Sequence, residues 1–114
     1  MKNNFGLLDN DFQEIKLVLK KYPQVKQAIL FGSRAKGNYK TGSDIDIALK
    51  GNELDFKTIN SISLELNEET KMPYKFDIID FMSIKEPLLI EHIERVGIVI
   101  YENSSQTNPE IDLV

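Results

Sequence analysis

The sequence predicts a single small α/β domain in which a mixed β-sheet is flanked by helices. Segments with strand-like runs alternate along the chain with segments of helical spacing, a pattern typical of layered α/β folds. The chain has 114 residues, of which 41% are hydrophobic, enough for one core. The loop of about eleven residues between the first two strands is too short for a helical crossover. Those strands are therefore expected to be antiparallel neighbours.

The first third of the chain predicts a helix, a strand and a short helical turn. Asn10 can cap a helix that runs to about Lys21. The apolar positions of this helix recur at three- and four-residue spacing: Phe12, Ile15, Leu19 and Tyr22. Val25–Phe31 follows as a strand that ends in a continuous apolar run, which suits burial on both faces. Arg34–Lys36 is expected to form one helical turn.

The middle of the chain predicts two more strands with a helix between them. Ser43–Lys50 alternates strictly between two sets of residues, as a strand with two different faces does. Asp55 can cap a second helix, which ends near Glu68. Tyr74–Phe81 is the third strand, and it also carries its acidic residues among apolar ones.

The last third predicts one helix, a short extended piece and a tail. Ser83–Glu86 has the pattern of a capping box, and the helix that follows runs to about Arg95. Ile98–Tyr101 is a short extended apolar segment. We assign residues 1–102 to the domain and expect the polar residues 103–114 to form a flexible tail.

Charge and composition narrow the classes of function. The formal net charge of −4 argues against a broad basic footprint for duplex nucleic acid. The chain has no cysteine, so a metal would be bound by oxygen ligands or by the single histidine, His92, which points to a hard cation. The N-terminal sequence lacks the apolar core of a signal peptide, and no apolar run is long enough to span a membrane. We expect a soluble cytoplasmic protein.

Two aspartates on the second strand are candidate metal ligands. Asp44 and Asp46 lie on the same side of one strand, roughly 6.5–7 Å apart along the backbone. Two carboxylates this close raise each other's pKa, and a divalent cation between them removes that cost. Two metal ions can clamp the attacking and leaving oxygens of a phosphoryl centre. Taken alone, the pair is better explained by a solvent-facing polar stripe on a half-exposed strand. A calcium-binding EF-hand is excluded because Ala48 occupies the next acidic position.

The turn that follows the first strand is a candidate phosphate site. Gly32 allows the backbone to approach a phosphate closely, and the amide N–H groups after it can bind the phosphate oxygens. Ser33 adds a hydroxyl donor, and Arg34 and Lys36 can neutralise charge. A P-loop is excluded, because Asn38–Tyr39 stands where that motif requires lysine and serine or threonine. Alone, a Gly-Ser pair after a strand is an ordinary turn.

A third carboxylate on the third strand completes the set if the second and third strands pair. Asp77 lies between Phe76 and Ile78, and a carboxylate in an apolar strand is costly unless it is paired or bound to metal. Asp80 competes for this assignment from the opposite face of the strand. We prefer Asp77.

The combination is more specific than its parts. Gly32-Ser33, ten intervening residues, Asp44-Ile45-Asp46 and the later Asp77 resemble the signature of the DNA polymerase β-like nucleotidyltransferases, in particular the small minimal nucleotidyltransferases (MNT type). The resemblance covers about Ala28–Phe81. It implies a polymerase β-like fold, ATP as substrate and Mg²⁺ as cofactor, with two ions expected.

The resemblance also implies roles for the residues. Asp44 and Asp46 would hold both metal ions, whereas Asp77 would bind one of them and help activate the attacking hydroxyl. Gly32 and Ser33 would hold the triphosphate. Arg34 and Lys36 complete the expected nucleotide-binding set.

Many small members of this family resemble antitoxins that pair with a HEPN-domain ribonuclease toxin and transfer AMP to one of its tyrosines. The resemblance therefore implies a protein adenylyltransferase with a HEPN-type toxin as partner. A non-catalytic module that neutralises its partner by contact is the main alternative. An enzyme that modifies nucleic-acid ends is a third reading, which the small size and negative charge oppose.

His92 and the apolar residues of the last helix can each be interpreted in two ways. His92 is interpreted as a surface or boundary residue rather than a member of the site. The apolar residues of the helix spread wider than one narrow stripe, which suits either a partner surface or complete burial: Leu88, Leu89, Ile90, Ile93 and Val96.

Overall fold

Four strands form one mixed sheet in the structure, a computed structural model that describes residues 6–40 and 42–103. The strands are β1 (Val25–Phe31), β2 (Ile45–Gly51), β3 (Phe76–Asp80) and β4 (Ile98–Glu102). Their spatial order is β3-β2-β1-β4. β1 pairs antiparallel with both β2 and β4, and β2 pairs parallel with β3. The prediction of a mixed sheet with antiparallel first and second strands is confirmed.

Four α-helices flank the sheet: α1 (Asp9–Lys20), α2 (Gly32–Lys36), α3 (Phe56–Leu64) and α4 (Pro87–Val96). α3 continues as a π-helical turn over Glu65–Glu69, and a 3-10 turn over Phe81–Ser83 follows β3. Within residues 6–40 and 42–103, none of the helices combines the length and the apolar character that a bilayer crossing requires.

Two of the three predicted helix caps are wrong. α1 begins at Asp9 after Leu8, so Asn10 lies inside the helix rather than capping it. The capping box is absent, because the Ser83 hydroxyl donates to Asp80 at 2.9 Å and α4 begins only at Pro87. The cap at Asp55 is confirmed, since its carboxylate accepts the Thr58 N–H at 2.8 Å.

The predicted ends of two strands also need correction. β2 begins at Ile45, two residues later than predicted, because the Ser43 carbonyl accepts hydrogen bonds from the Arg34 side chain instead of joining the ladder. β3 is shorter than the predicted Tyr74–Phe81, since Phe81 enters the 3-10 turn that Asp80 caps. The predicted tail lies outside the described residues except for Asn103, so the domain boundary stays a prediction.

The two faces of the sheet bury different amounts of apolar surface. α1 and α3 cover one face and form the main core with the inward residues of all four strands. α4 covers the other face with a smaller cluster built on Ile29, Phe31, Ala48 and Ile93. Because side chains alternate along β2, Ile45 and Ile47 enter the main core while Asp46 faces the side of α4.

One amide side chain joins the π-helical turn to the start of β3. Asn67 Nδ2 donates to the Phe76 carbonyl at 3.0 Å, and the Phe76 N–H donates to Asn67 Oδ1 at 2.8 Å. The amide therefore pairs with the strand as a neighbouring peptide would. This contact fixes the strand one residue before Asp77.

We expect Asn67→Ala to lower the free energy of unfolding by about 1–3 kcal/mol, because it leaves the Phe76 N–H and carbonyl without their partners. Asn60→Ala is the matched control, since Asn60 is exposed on α3, and it should change stability by less than about 0.5 kcal/mol. Urea unfolding of the three proteins measures both values. Equal stabilities for the Asn67→Ala protein and the wild type would contradict the assigned contact.

Candidate active site

Gly32 and Asp46 meet where β1 turns into α2. β1 and β2 pair so that Phe31 lies opposite Asp46. This register places the next residue, Gly32, in contact with the Asp46 carboxylate. Gly32 has a φ of 77°, in the left-handed region that favours glycine. A Cβ atom at Gly32 would also overlap Asp46 Oδ2. Both the backbone conformation and the space therefore require glycine at this position.

The parallel pairing of β2 and β3 brings two predicted carboxylates together. Asp46 and Asp77 are direct register partners, so their side chains leave the sheet on the same face. Asp44 is exposed and lies one residue before β2. Asp80 is engaged elsewhere, because its carboxylate accepts the Met82 N–H at 3.1 Å and the Ser83 hydroxyl at 2.9 Å. The register thus brings Asp77 to Asp46, while the catalytic role of Asp77 stays a prediction.

The electrostatics of this cluster are unfavourable to negative charge. Burial raises the pKa of the Asp46 carboxyl above its usual value, and the nearby charges of Asp77 and Asp44 raise it further. A positive charge on His92 would act in the opposite direction and lower the pKa of Asp46. Asp46 is therefore a half-buried carboxylate for which a nearby cation would be stabilising.

The carboxylates fit a hard cation in their chemistry but do not form a complete ligand set as they stand. Oxygen ligands are those that Mg²⁺ prefers, and the unfavourable charge on Asp46 gives a reason to bind one. Among residues 6–40 and 42–103, no three acidic, histidine or cysteine side chains lie close enough to hold a metal ion. Asp44 and Asp77 are both exposed, so their side chains have room to move toward Asp46. Magnesium binding stays a prediction.

His92 is half-buried, as expected for a boundary residue, but it also contacts the candidate site, which the sequence interpretation did not include. The Gly32 N–H donates to His92 Nε2 at 3.2 Å. The imidazole also meets the Phe31 ring edge to face, with centroids 6.2 Å apart and an interplanar angle of 81°. Its spacing of three from Leu89 and four from Val96 puts His92 on the apolar face of α4. This spacing indicated that His92 faces the sheet. No local sequence pattern, however, identifies its partner Gly32, which lies sixty residues away.

The predicted nucleotide-binding residues after Gly32 differ in exposure. Ser33 is half-buried at the start of α2, and Lys36 is exposed at its end. Arg34 is only 3% exposed, and its Nε and Nη2 donate to the Ser43 carbonyl at 3.2 and 2.9 Å. These contacts attach α2 to the residue that precedes Asp44. A direct contact between Arg34 and a nucleotide stays a prediction.

Two tyrosines flank the Arg34 guanidinium. Its Cζ lies 5.3 Å from the centroid of the Tyr39 ring and 5.2 Å from that of Tyr74. The Tyr74 hydroxyl in turn donates to Asp11 of α1 at 2.9 Å. Arg34 therefore joins α1, α2 and the loop before β2 through stacking and hydrogen bonds.

We expect Arg34→Lys to lower the free energy of unfolding by about 1–3 kcal/mol, although it keeps the positive charge. Lysine lacks the planar guanidinium that stacks between two rings while donating twice to one carbonyl. Lys36→Ala controls for loss of a cation on the same helix and should change stability by less than about 0.5 kcal/mol. Denaturant unfolding compares them, and equal effects of the two substitutions would contradict the role assigned to Arg34.

The raised pKa of Asp46 predicts a pH-dependent stability difference in metal-free buffer. A carboxyl whose pKa is raised by folding contributes stability below its unfolded pKa of about 3.9 and loses it as the pH rises through the folded value. Asp46→Asn should therefore melt at a higher temperature than the wild type at pH 7, with a difference that shrinks toward pH 4. Asp55→Ala should show the opposite sign at pH 7, because hydrogen bonds from Thr58 lower the pKa of Asp55. Thermal melts across this pH range check both, and a less stable Asp46→Asn at pH 7 would contradict the assignment.

Comparison with known proteins agrees with this geometry. Residues 13–106 match the family model described as polymerase beta, nucleotidyltransferase. A relative from Haemophilus influenzae, named "Probable protein adenylyltransferase MntA", is 32% identical over 103 residues, which cover 87% of this chain and 89% of the relative. The family match spans all the predicted site residues.

Solved structures share the fold. A chain of a toxin-antitoxin crystal structure with AMP-PNP superposes with a TM-score of 0.66 at 24% identity, over 85% of this chain and 77% of that chain. A chain of the structure of tri-AMPylated Shewanella oneidensis HEPN toxin in complex with MNT antitoxin gives a TM-score of 0.63 at 20% identity, over 86% of this chain and 75% of that chain. The fold implied by the sequence resemblance is confirmed. Because the family model matches residues 13–106 of this chain, the chain belongs to the polymerase beta nucleotidyltransferase family.

Proposed function

We propose that this nucleotidyltransferase is a protein adenylyltransferase that transfers AMP from ATP to a tyrosine hydroxyl of a HEPN-type toxin and so acts as its antitoxin. The observation that carries the proposal is the pairing of Asp46 with Asp77 beside the Gly32 turn. That arrangement puts carboxylates next to backbone N–H groups that can bind phosphate. The relative named as a protein adenylyltransferase supports the choice of reaction.

In this proposal the acidic residues organise the reacting atoms. Asp44, Asp46 and Asp77 would hold Mg²⁺, two ions in all, which supply charge neutralisation at phosphorus when bound. Asp77 would also assist removal of the proton from the tyrosine hydroxyl. A bond forms between the tyrosine oxygen and the α-phosphorus, and the bond from that phosphorus to the β-phosphate oxygen breaks. Pyrophosphate leaves with the electron pair.

The residues after β1 would hold the triphosphate. The Gly32 and Ser33 N–H groups and the Ser33 hydroxyl are donors suited to phosphate oxygens. Lys36 is exposed at the end of the same helix and would neutralise phosphate charge. Arg34 would contribute indirectly, by fixing the loop before β2. Its Nε and Nη2 already donate to the Ser43 carbonyl. Preorganised donors of this kind stabilise charge that develops in the transition state.

An exposed apolar surface supports a protein partner. A groove of about 570 Å³ lies between the start of α3, the 3-10 turn and α4. Large apolar side chains stand exposed in these elements: Phe56 at 79%, Met82 at 74% and Leu88 at 76%. The apolar residues of α4 therefore serve both expected purposes. Ile93 is buried in the domain, whereas Leu88 is exposed and available to a partner. Exposed apolar side chains beside a groove suit a protein partner, which in this proposal is the toxin in the cytoplasm.

We expect the purified protein with ATP, Mg²⁺ and a HEPN toxin partner to add one or more AMP groups to a partner tyrosine and to suppress RNA cleavage by the toxin. The Asp44→Asn, Asp46→Asn double variant and added chelator should each reduce transfer by at least about a hundredfold, since both remove metal-dependent charge stabilisation. Asp80→Asn is the control and should retain transfer within a few-fold. Intact mass spectrometry measures the product.

The same experiment separates catalysis from contact. The exposed groove favours contact inhibition as a second candidate function, because a partner seated there would not need a competent site. Suppression of the toxin by the double variant, together with no added mass from the wild type, would replace the enzymatic proposal with that one.

A further inference from the structure

The Gly32 N–H has a side-chain acceptor within the fold. It donates to His92 Nε2 at 3.2 Å, and the Phe31 ring holds the imidazole edge to face. The same N–H opens the turn proposed to hold the triphosphate. A side chain from α4 thus occupies a donor that a phosphate oxygen would use.

The direction of this hydrogen bond defines the state of the imidazole. Because Nε2 accepts, it carries no proton, and a neutral His92 has its proton on Nδ1. A phosphate oxygen is a charged acceptor, and charge-assisted hydrogen bonds are stronger than those between neutral groups. One N–H cannot make a well-aligned bond to both acceptors. The two acceptors therefore compete.

The engaged peptide also lies against Asp46. A Cβ atom at Gly32 would overlap Asp46 Oδ2, so the Gly32 backbone packs directly against this carboxylate. An acceptor on its N–H keeps this backbone in one orientation while the phosphate is absent. His92 therefore contacts the same residue that packs against the carboxylate.

We propose that His92 is a positioning residue that binds the Gly32 N–H in the nucleotide-free site and releases it to a phosphate oxygen of the triphosphate. This rests on the proposed function in taking a nucleoside triphosphate as the ligand. The His92 contact belongs to the free state alone. A contact present only in the free state opposes ligand binding by the amount that it stabilises the free protein.

A His92–Gly32 contact that only stabilised the fold would have different effects on stability and affinity. It would persist with nucleotide bound, so its loss would lower the stability of both states and leave nucleotide affinity unchanged. Loss of a contact that exists only in the free state lowers the melting temperature of the free protein alone and raises the affinity. The two cases are thus separable by measurement.

The chain contains a single histidine, so its imidazole nitrogen signals in NMR are unambiguous. In the full chain at about pH 8, where an ordinary imidazole is neutral, we expect the Nδ1-protonated tautomer. Saturation with Mg²⁺ and AMP-PNP should shift the Gly32 amide and the His92 Nε2 signals together. Binding of AMP-PNP by calorimetry with neither signal changed would overturn this inference and leave the proposed function intact. No binding of AMP-PNP would overturn both.

Two substitutions complete the test. His92→Phe keeps a ring against Phe31 but removes the acceptor, and it should bind AMP-PNP about two- to tenfold more tightly than the wild type. Its melting temperature should fall without nucleotide and match the wild type with saturating nucleotide. His92→Gln, which offers an acceptor near the Nε2 position, should restore both wild-type values. Unchanged or weaker binding by His92→Phe would overturn the inference, and the NMR measurement on the wild type decides the matter if that variant does not fold.

Discussion

The packing of the Asp46 carboxylate on the α-carbon of Gly32 is the constraint on which the site depends. It follows from the antiparallel register that sets Phe31 opposite Asp46. It allows only glycine at the turn, and it brings the first backbone donors of α2 to the same point as the carboxylates. The parallel partner Asp77 arrives through β3. The positions of the turn and of the carboxylate pair are therefore consequences of how three strands align.

The two faces of the sheet have different roles: one carries the main hydrophobic core, and the other carries the candidate site. One face carries the main core under α1 and α3, where fully buried residues such as Ile15, Ile47 and Ile62 exclude water. The other face carries the smaller cluster under α4 and the half-buried Asp46, whose raised pKa records a cost to the folded state. Apolar burial on the first face offsets that cost. Relief of this unfavourable charge would be a driving force for binding a cation.

Local patterns predicted much of the fold, and tertiary contacts decided the rest. The apolar run predicted the bounds of β1, and the short loop predicted that β1 and β2 are antiparallel neighbours, whereas the set of catalytic carboxylates stays a prediction. Local chemistry failed where another residue competed: Asp80 accepts the Ser83 hydroxyl that was expected to cap α4, and Arg34 takes the Ser43 carbonyl that was expected to join β2. The contact of His92 with Gly32 joins residues far apart in sequence, and periodicity carries no information about such pairs.

The position of β1 in the middle of the sheet has a consequence for how the protein is made. β1 is synthesised early, yet one of its two edges is covered only by β4, and its second face only by α4. A nascent chain still lacking residues 87–102 therefore exposes a hydrophobic edge and has no acceptor for the Gly32 N–H. The Gly32 turn and all three aspartates leave the ribosome before the segment that completes their surroundings. Assembly of the candidate site is thus coupled to the emergence of α4 and β4.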